Sequence, residues 1–289
     1  MSGASPRPRL ALLASRIGFE EKRILEALAR HGLSCTHLDT RSLHREPDAA
    51  PAPWDAVLNR EISATRALYA ALALEAAGTK VLNSAAATET CGDKWRTSVA
   101  LRRAGVPTPR TALALTPEAA EAAAEELGYP VVLKPLTGSW GRRVALLRDR
   151  DTARSLFEYC EAMPSPAGRL VYLQAYVDKP DRDIRVAVIG GRAVAAIYRR
   201  SADWRTNVAR GATTEPCPLT DDLAKLAVAA ADGVGAGIAG VDLVEDARGG
   251  LYVIEVNHRV EFAGLQAAAG ERVDIGAAIA GHLIEEAAR

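Results

Sequence analysis

The sequence predicts a mixed α/β and α+β protein with more than one lobe, and three observations lead to this fold class. The chain has 289 residues, which exceeds the usual range of a single domain, so we expect two or three lobes with separate cores. Strand-like and helix-like segments alternate at the start of the chain, as is typical of a parallel sheet covered by helices. Strand-like segments joined by a glycine turn follow later and indicate antiparallel pairing.

The composition is that of a soluble globular protein, with 48% hydrophobic and 25% charged residues. Lysine plus arginine equals aspartate plus glutamate at 36 each, so the net charge argues neither for nor against a nucleic-acid or membrane partner. Nucleic-acid binding predicts a raised isoelectric point, whereas it is about 7 here, so we expect no nucleic-acid partner. No apolar run approaches the length of a membrane span and no signal peptide is visible, so we expect a cytoplasmic protein without a membrane partner. The four cysteines form no CxxC pair, which argues against disulfides and zinc.

Residues 9–90 are predicted to form an N-terminal α/β lobe after a disordered tail at 1–8. The apolar run at 9–15 predicts a buried first strand, and a helix with Ile24 and Leu28 on one face follows it. The other predicted elements are strands at 33–38, 55–59 and 80–84 and an alanine-rich helix at about 64–77.

Residues 91–168 are predicted to form a small central α+β lobe. A helix carrying Lys94 leads to an extended segment that contains two prolines. Thr116 is the expected N-cap of the next helix, with a proline in its first turn. The remaining elements are strands at 129–135 and 144–147, joined by a glycine-bearing loop, and a helix at 151–163.

Residues 169–289 are predicted to form the last lobe, which begins with a strand at 170–177. A hairpin is expected to turn at Gly190-Gly191, because glycines adopt the positive φ values that tight hairpin turns require. The hairpin strands lie at 184–189 and 193–200, and they are followed by a helix at 220–231, strands at 240–244 and 251–256, and a helix at 274–288.

Acidic side chains lie on two late strands that are otherwise apolar. Glu255 and Asn257 should point to the same face of their strand while Val256 faces the core, because strand side chains alternate. If the neighbouring strand presents Asp242 on that face, three hard oxygen ligands converge, which suits Mg²⁺. Exposed acids at strand ends are the alternative interpretation.

Basic residues supply a second kind of candidate site. Lys134 ends an apolar strand and precedes a loop with glycines at 138 and 141, whose backbone could approach phosphate closely, although no Walker A motif is present. An arginine cluster follows, which predicts a focused anion site or, alternatively, an ordinary basic surface. No serine or cysteine nucleophile motif is found. The cluster consists of Arg185, Arg199, Arg200, Arg205 and Arg210.

These residues occur in the order found in the ATP-grasp fold, and the run Arg182-Asp-Ile-Arg-Val with Asn207-Val-Ala-Arg-Gly211 resembles the RimK branch. Most closely, the chain resembles the LysX/ArgX-type ligases, from about residue 9 to 286. The resemblance implies an N-terminal pre-ATP-grasp domain at 9–90, a central ATP-grasp lobe at 91–168 and an antiparallel C-terminal lobe at 169–289.

The resemblance also implies roles for individual residues. It implies that two lysines and the loop from Gly138 to Arg142 contact the phosphates of ATP, that a hinge around Tyr176 holds the adenine, and that Asp181 contacts the ribose. The implied ATP-binding residues are Lys94, Lys134, Gly138, Ser139, Trp140, Gly141, Arg142, Gln174, Tyr176, Val177 and Asp181. Two Mg²⁺ ions would be bound by Asp242, Glu255 and Asn257. The γ-phosphate and an acyl-phosphate would be held by Arg185, Asn207 and Arg210, and the amino acid by Arg199, His258 and Glu261.

The activity that the resemblance implies is ATP-dependent amide formation between an acidic amino acid and the C-terminal glutamate of a small acidic carrier protein, LysW. Glutamate is favoured over 2-aminoadipate, because Ala263-Gly264 stands where aminoadipate-using relatives are expected to carry an asparagine. Two alternatives are a RimK-type glutamate ligase acting on another protein or a small acid, and a nucleotide-binding regulator without catalysis. Such relatives are commonly dimers or tetramers, so a homo-oligomer is expected.

Overall fold

The N-terminal lobe is a parallel sheet with helices on its faces, as predicted. In the computed structural model, which describes residues 7–138, 142–206 and 211–289, its four strands are ordered β2-β1-β3-β4 and all pairs are parallel. Most of the predicted tail at 1–8 lies outside the described residues. The elements are β1 (Leu10–Leu13), α1 (Phe19–Arg30), β2 (Cys35–Leu38), β3 (Ala56–Asn59), α2 (Ala64–Ala76), β4 (Lys80–Leu82) and α3 (Ala85–Gly92).

The central lobe has a four-stranded antiparallel sheet with the order β5-β8-β6-β7. Thr116 caps α5 as predicted, its hydroxyl accepting a hydrogen bond from the Ala119 N–H at 3.2 Å. The elements are α4 (Lys94–Arg103), β5 (Thr111–Ala114), α5 (Pro117–Leu127), β6 (Val131–Lys134), β7 (Ala145–Leu147), α6 (Arg150–Glu161) and β8 (Val171–Ala175).

The C-terminal lobe is built on a five-stranded antiparallel sheet with the order β11-β10-β9-β12-β13. The hairpin turns at Gly190 and Gly191, whose φ angles of 56° and 70° are the positive values expected there. The elements are β9 (Arg182–Ile189), β10 (Arg192–Arg200), β11 (Thr213–Pro216), α7 (Asp221–Gly233), β12 (Ile238–Glu245), β13 (Leu251–Asn257), α8 (Ala263–Ala269) and α9 (Ile275–Ala287).

One strand belongs to a different lobe from the one predicted. The strand expected at 170–177 to open the last lobe is β8, and it pairs with β5 and β6 of the central sheet. An apolar run shows that a strand is buried but does not show which strands it pairs with. We therefore propose that the chain passes from the central to the C-terminal lobe between Ala175 and Arg182. Four short elements, α3, β5, β11 and α8, were not predicted.

The N-terminal and C-terminal lobes share a hydrophobic core. Leu12 and Ile24 of the first lobe pack in the same cluster as Ile197, Phe262 and Ile279 of the last. On the opposite face of the C-terminal sheet, helices α3 and α4 pack together with α7. The start of α4, which carries Lys94, is thereby fixed against the C-terminal sheet. Among the described helices, none combines the length and apolarity needed to cross a bilayer.

Candidate active site

Two adjoining clefts lie between the lobes. The central cleft lies between the central and C-terminal sheets and is lined by residues of β6, β8, β9, β10, β12 and β13 together with 176–179 and 204–206. The N-terminal cleft is lined by residues of 16–21, 61–64, 91–94 and 257–265. Lys94, Arg199 and Glu255 line both clefts, so the two clefts meet at these three side chains.

The predicted acidic group is assembled by strand register. Asp242 of β12 stands opposite Glu255 of β13, and Gly240 stands opposite Asn257. Val256 is fully buried in the core on the other face, which confirms the predicted alternation. A bulge after Asp242 gives β13 an extra residue at this point, so that Ile254 and Glu255 both line the central cleft. The two carboxylates therefore face the cleft as neighbours.

Asp242 is held by two arginines from neighbouring strands. Arg185 donates to both carboxylate oxygens at 2.7 and 2.8 Å, and Arg199 approaches the second oxygen at 3.3 Å. Burial would raise the pKa of Asp242, but these two guanidinium groups outweigh it and the pKa is lowered. Arg199 also donates to both oxygens of Asp183, at 2.6 and 2.7 Å. Asp242 therefore stays charged, in a buried row in which acidic and basic side chains alternate.

Lys94 makes the corresponding contact to the second acid. Its Nζ lies 3.1 Å from Glu255 Oε1 and donates to the Gly138 carbonyl at 3.0 Å. Burial opposes ionisation of Glu255, but Lys94 and Lys134 together lower its pKa. Asp93 fixes the lysine's backbone by capping α4, its carboxylate accepting from the Arg96 N–H at 2.9 Å. Lys94 thus connects Gly138, a loop residue predicted to contact phosphate, with the acidic side chain of Glu255.

Lys134 ends β6 inside the central cleft, as the sequence suggested. Its Nζ donates to Gln174 Oε1 at 2.6 Å, and the Gln174 amide in turn donates to the Tyr172 hydroxyl at 3.4 Å. That hydroxyl shares a hydrogen bond of 2.8 Å with Ser98 of α4. Burial lowers the pKa of Lys134 to about 8, against the opposing attraction of nearby acids. A half-buried amine of this kind can bind a phosphate oxygen while it is protonated.

The outer part of the central cleft has apolar walls. Val132, Val144 and Ile254 line it, and Tyr176 meets Trp204 edge to face with ring centroids 6.5 Å apart. The Tyr176 N–H donates to the Pro130 carbonyl at 3.3 Å, and Val177 also lines the cleft. A slot with apolar walls suits a flat heteroaromatic ring.

The charged residues of the N-terminal cleft are almost all paired. Glu20 and Glu21 bind Arg60, and Arg259 bridges Glu21 and Glu261. Glu61 accepts from Arg66 at 3.1 Å. His258 is kept neutral because burial, followed by the nearby arginines, lowers its pKa to about 4. The charged residues that line this cleft are Arg16, Glu20, Glu21, Glu61, Lys94, Arg185, Arg199, Glu255, Arg259 and Glu261.

The predicted site residues are thus only partly brought together. Arg142 is exposed and lines neither cleft. Asp181 is exposed in a bend before β9, where strand alternation does not apply, and Lys179 lines the central cleft instead. His258 and Glu261 line the N-terminal cleft, together with Arg199. Five predicted residues lie outside the described part of the chain: Ser139, Trp140, Gly141, Asn207 and Arg210.

Several site residues were not predicted. Asp183 is buried and also accepts a hydrogen bond from Thr206, and it could have been found because it alternates with Arg185 on one strand face. Arg60 donates to Glu20, 40 positions away in the sequence, and to the carbonyl of Val260, 200 positions away. No local pattern in the sequence indicates such a contact.

The acidic group suits Mg²⁺ in the chemistry of its donors. Asp242 and Glu255 offer carboxylate oxygens, and Asn257 directs its amide nitrogen to the Gly240 carbonyl at 3.4 Å, which leaves its oxygen for a ligand. Within the described residues, no three His, Cys, Asp or Glu side chains form a metal site by themselves. A set of two carboxylates and one amide is consistent with an ion that takes its remaining ligands from phosphate and water.

Comparison with known proteins gives matches over almost the whole chain. Residues 10–90 match the LysX preATP-grasp domain, and residues 91–285 match the RimK-like ATP-grasp domain. The chain is 38% identical to the alpha-aminoadipate–LysW ligase LysX of Saccharolobus solfataricus, over 84% of this chain and 90% of that protein. It is 34% identical to the glutamate–LysW ligase ArgX of Sulfurisphaera tokodaii, over 90% and 93%.

A solved structure supports the same fold. The crystal structure of a RimK domain ATP-grasp protein from Sphaerobacter thermophilus superposes with a TM-score of 0.78 at 30% identity, over 95% of this chain and 99% of that one. The agreement extends across all three lobes, because the coverage leaves almost no part of either chain unmatched.

Proposed function

Because the chain belongs to the RimK-like ATP-grasp family of ATP-dependent, amide-forming ligases, we propose that it joins the α-amino group of an acidic amino acid to the C-terminal glutamate of a LysW-like carrier protein. ATP-grasp ligases use ATP and Mg²⁺. The curated relatives that share both the pre-ATP-grasp and the ATP-grasp parts of this chain act on LysW, and this observation supports the carrier as the acceptor.

The meeting of the two clefts carries the proposal. The central cleft offers apolar walls at one end and the buried cations Lys134 and Lys94 at the other, which suits a nucleotide with its triphosphate directed inward. The N-terminal cleft opens from the same point and is large and polar enough for two further substrates. We propose that Lys94, Glu255 and Arg199, which lie at the junction, contact the atoms that react.

The proposed reaction proceeds through an acyl-phosphate. A carboxylate oxygen of the carrier's terminal glutamate attacks the γ-phosphorus, and the bond to the β-phosphate oxygen breaks, releasing ADP. The amine of the amino acid then attacks the acyl carbon, the carbon–oxygen bond to phosphate breaks, and the amine loses its proton to solvent. Lys94, Lys134 and Arg185 hold the phosphate oxygens and neutralise their charge, so the chain contributes positioning and electrostatics without a nucleophile of its own.

Asp242, Glu255 and Asn257 are proposed to hold two Mg²⁺ ions against the triphosphate. The metal supplies charge neutralisation at the transferring phosphoryl group. Asn207 and Arg210 remain proposed phosphate ligands from the sequence, and Arg199, His258 and Glu261 remain proposed ligands of the amino acid.

Glutamate is the proposed amino acid, and 2-aminoadipate is the alternative. The preference is supported by the position of Ala263, Gly264 and Leu265, which line the N-terminal cleft, the proposed binding space of the amino acid. A Cβ at Gly264 would lie 3.4 Å from Thr214 Cγ2, an ordinary contact, so a larger residue here would extend toward β11 and narrow the cleft. We also propose a dimer or tetramer, as is common among such ligases.

The test combines purified protein, ATP, Mg²⁺, a LysW-like carrier ending in glutamate, and either glutamate or 2-aminoadipate. Mass spectrometry of the carrier should show the added glutamyl residue. Glu255→Gln should abolish most product formation, because it removes one charged metal ligand at the phosphates. If ADP forms equally well with small free acids and no carrier, the alternative of a RimK-type ligase with another acceptor replaces this proposal. Unchanged product formation by Glu255→Gln would instead support a regulator.

A further inference from the structure

One charged side chain of the N-terminal cleft has no partner among the described residues. Every other Asp, Glu, Lys or Arg side chain that lines this cleft takes part in an ion pair. Arg16 makes no hydrogen bond and no ion pair to any described residue, and it is exposed at the cleft. The cleft therefore presents one positive charge that no described side chain neutralises.

The backbone around Arg16 is held firmly although its side chain is not. The Ser15 N–H donates to Glu61 Oε2 at 2.9 Å, and the Gly18 N–H donates to Glu21 Oε2 at 3.0 Å. Arg16 follows β1 at the carboxyl edge of a parallel sheet, where α/β folds bind their ligands. A fixed backbone reduces the entropy that is lost when the side chain binds a ligand.

An exposed aromatic side chain lines the same cleft. Phe19 in the first turn of α1 is 59% exposed. Arginine and aromatic residues are enriched at protein interfaces, since an aromatic ring supplies apolar area and a guanidinium binds carboxylates through two hydrogen bonds.

We propose that Arg16 binds a carboxylate of the acceptor's acidic C-terminal segment, with Phe19 packing against that segment, so that the acceptor's terminal glutamate is directed to the junction of the two clefts. This inference rests on the proposed function. The exposed position favours the acceptor over the free amino acid, because a group at the rim meets a chain that extends into solvent. The cations at the junction already have carboxylate partners, whereas Arg16 has none.

The experiment measures KM for carrier, amino acid and ATP separately in Arg16→Ala, Arg16→Lys and the control Lys22→Ala. Lys22 is an exposed cation on α1 that lines neither cleft, so its variant makes the same change in net charge. We expect Arg16→Ala to raise KM for the carrier about tenfold or more, with kcat and the other KM values little changed. Arg16→Lys should recover part of this loss, and Lys22→Ala should have KM close to wild type.

A carrier whose acidic side chains near its C-terminus are replaced by amides completes a double-mutant cycle. Arg16→Ala should have much less effect with this carrier than with the acidic one. A rise in KM for the amino acid in place of the carrier, or equal effects of both carriers, would overturn the assignment. If the wild-type protein ligates no carrier at all, the proposed function fails and not only the role of Arg16. The melting temperature of Arg16→Ala should equal that of wild type, because Arg16 has no partner among the described residues. This measurement verifies that the variant is folded.

Discussion

Arg60 forms buried contacts that connect the elements around the N-terminal cleft, and its replacement tests how much these contacts stabilise the protein. Its side chain is 2% exposed, and it donates to Glu20 at 2.6 Å, to Glu21 at 3.1 Å and to the Val260 carbonyl at 2.9 Å. Glu20 in turn accepts from the N–H of Ala263 at 2.9 Å at the start of α8. Arg60→Met would keep most of the apolar stem and remove the charge that holds both glutamates.

The expected cost follows from the burial of the stranded acids. Glu20 and Glu21 have side chains only 10% and 4% exposed, so without Arg60 they are left largely uncompensated. Removing one partner of a buried ion pair costs about 3–5 kcal/mol. With a shift of about 2–4 °C per kcal/mol for domains of roughly this size, Arg60→Met should melt about 6–20 °C below wild type. Arg259 lies 3.1 Å from Glu21 and remains as a partner of this carboxylate in the variant, which limits the loss of stability.

The assay is thermal unfolding followed by circular dichroism, with Arg200→Ala as the control. Arg200 pairs with Glu215 at 2.7 Å, but the two side chains are 41% and 48% exposed, so this loss should cost about 0–1 kcal/mol. Adding Glu20→Gln and Glu21→Gln to Arg60→Met should recover part of the stability, because no buried charge then remains unpaired. Equal melting temperatures of Arg60→Met and Arg200→Ala would refute the claim that the buried ion pairs of Arg60 contribute more to stability than an exposed pair.

Two further predictions concern pH and packing. Because burial lowers the pKa of Lys134 to about 8, its ammonium is lost as the pH rises through that value, so KM for ATP should increase above pH 8. Steady-state kinetics would check this, and Lys134→Arg should show no such rise, since arginine stays charged. Gly237→Ala should destabilise by about 1–3 kcal/mol, because its Cβ would lie 2.8 Å from His282 Nε2. Gly281→Ala, in α9 with open space, should raise the melting temperature slightly.

Local patterns in the sequence predicted those parts of the fold that depend on local geometry. The alternation of strands and helices predicted the parallel first sheet, and the two glycines at 190–191 predicted the hairpin turn. The partners of β8 could not be predicted, because strand pairing is set by contacts between segments far apart in the chain. The same limit applies to β11, a short strand in which three of the four residues are polar and no alternating apolar pattern occurs.

In the candidate site, too, features set by local geometry were predicted, whereas contacts between distant segments were not. Asp242 and Glu255 could be placed together because side-chain alternation fixes the face and the strands are consecutive. The sequence assigned their cation partners Lys94 and Arg185 to phosphate and Arg199 to the amino acid. The contacts of these cations with the acids appear only when β9, β10 and α4 are placed beside β12 and β13. The network of Glu20, Arg60 and Arg259 spans both ends of the chain, so it required the tertiary fold.

The pairing of every acid in the junction with a cation has a consequence for how the proposed ligase would bind its nucleotide. Isolated carboxylates facing a triphosphate would repel it, but Asp242 and Glu255 are neutralised by Arg185, Arg199 and Lys94 before any ligand arrives. If Lys94 and Arg185 exchanged these partners for phosphate oxygens, as proposed, Glu255 and Asp242 would be released to serve as oxygen ligands of the proposed metal ions. The acids then need a new cation, because a buried unpaired carboxylate is costly. Phosphate binding and metal binding should therefore be mutually dependent at this site.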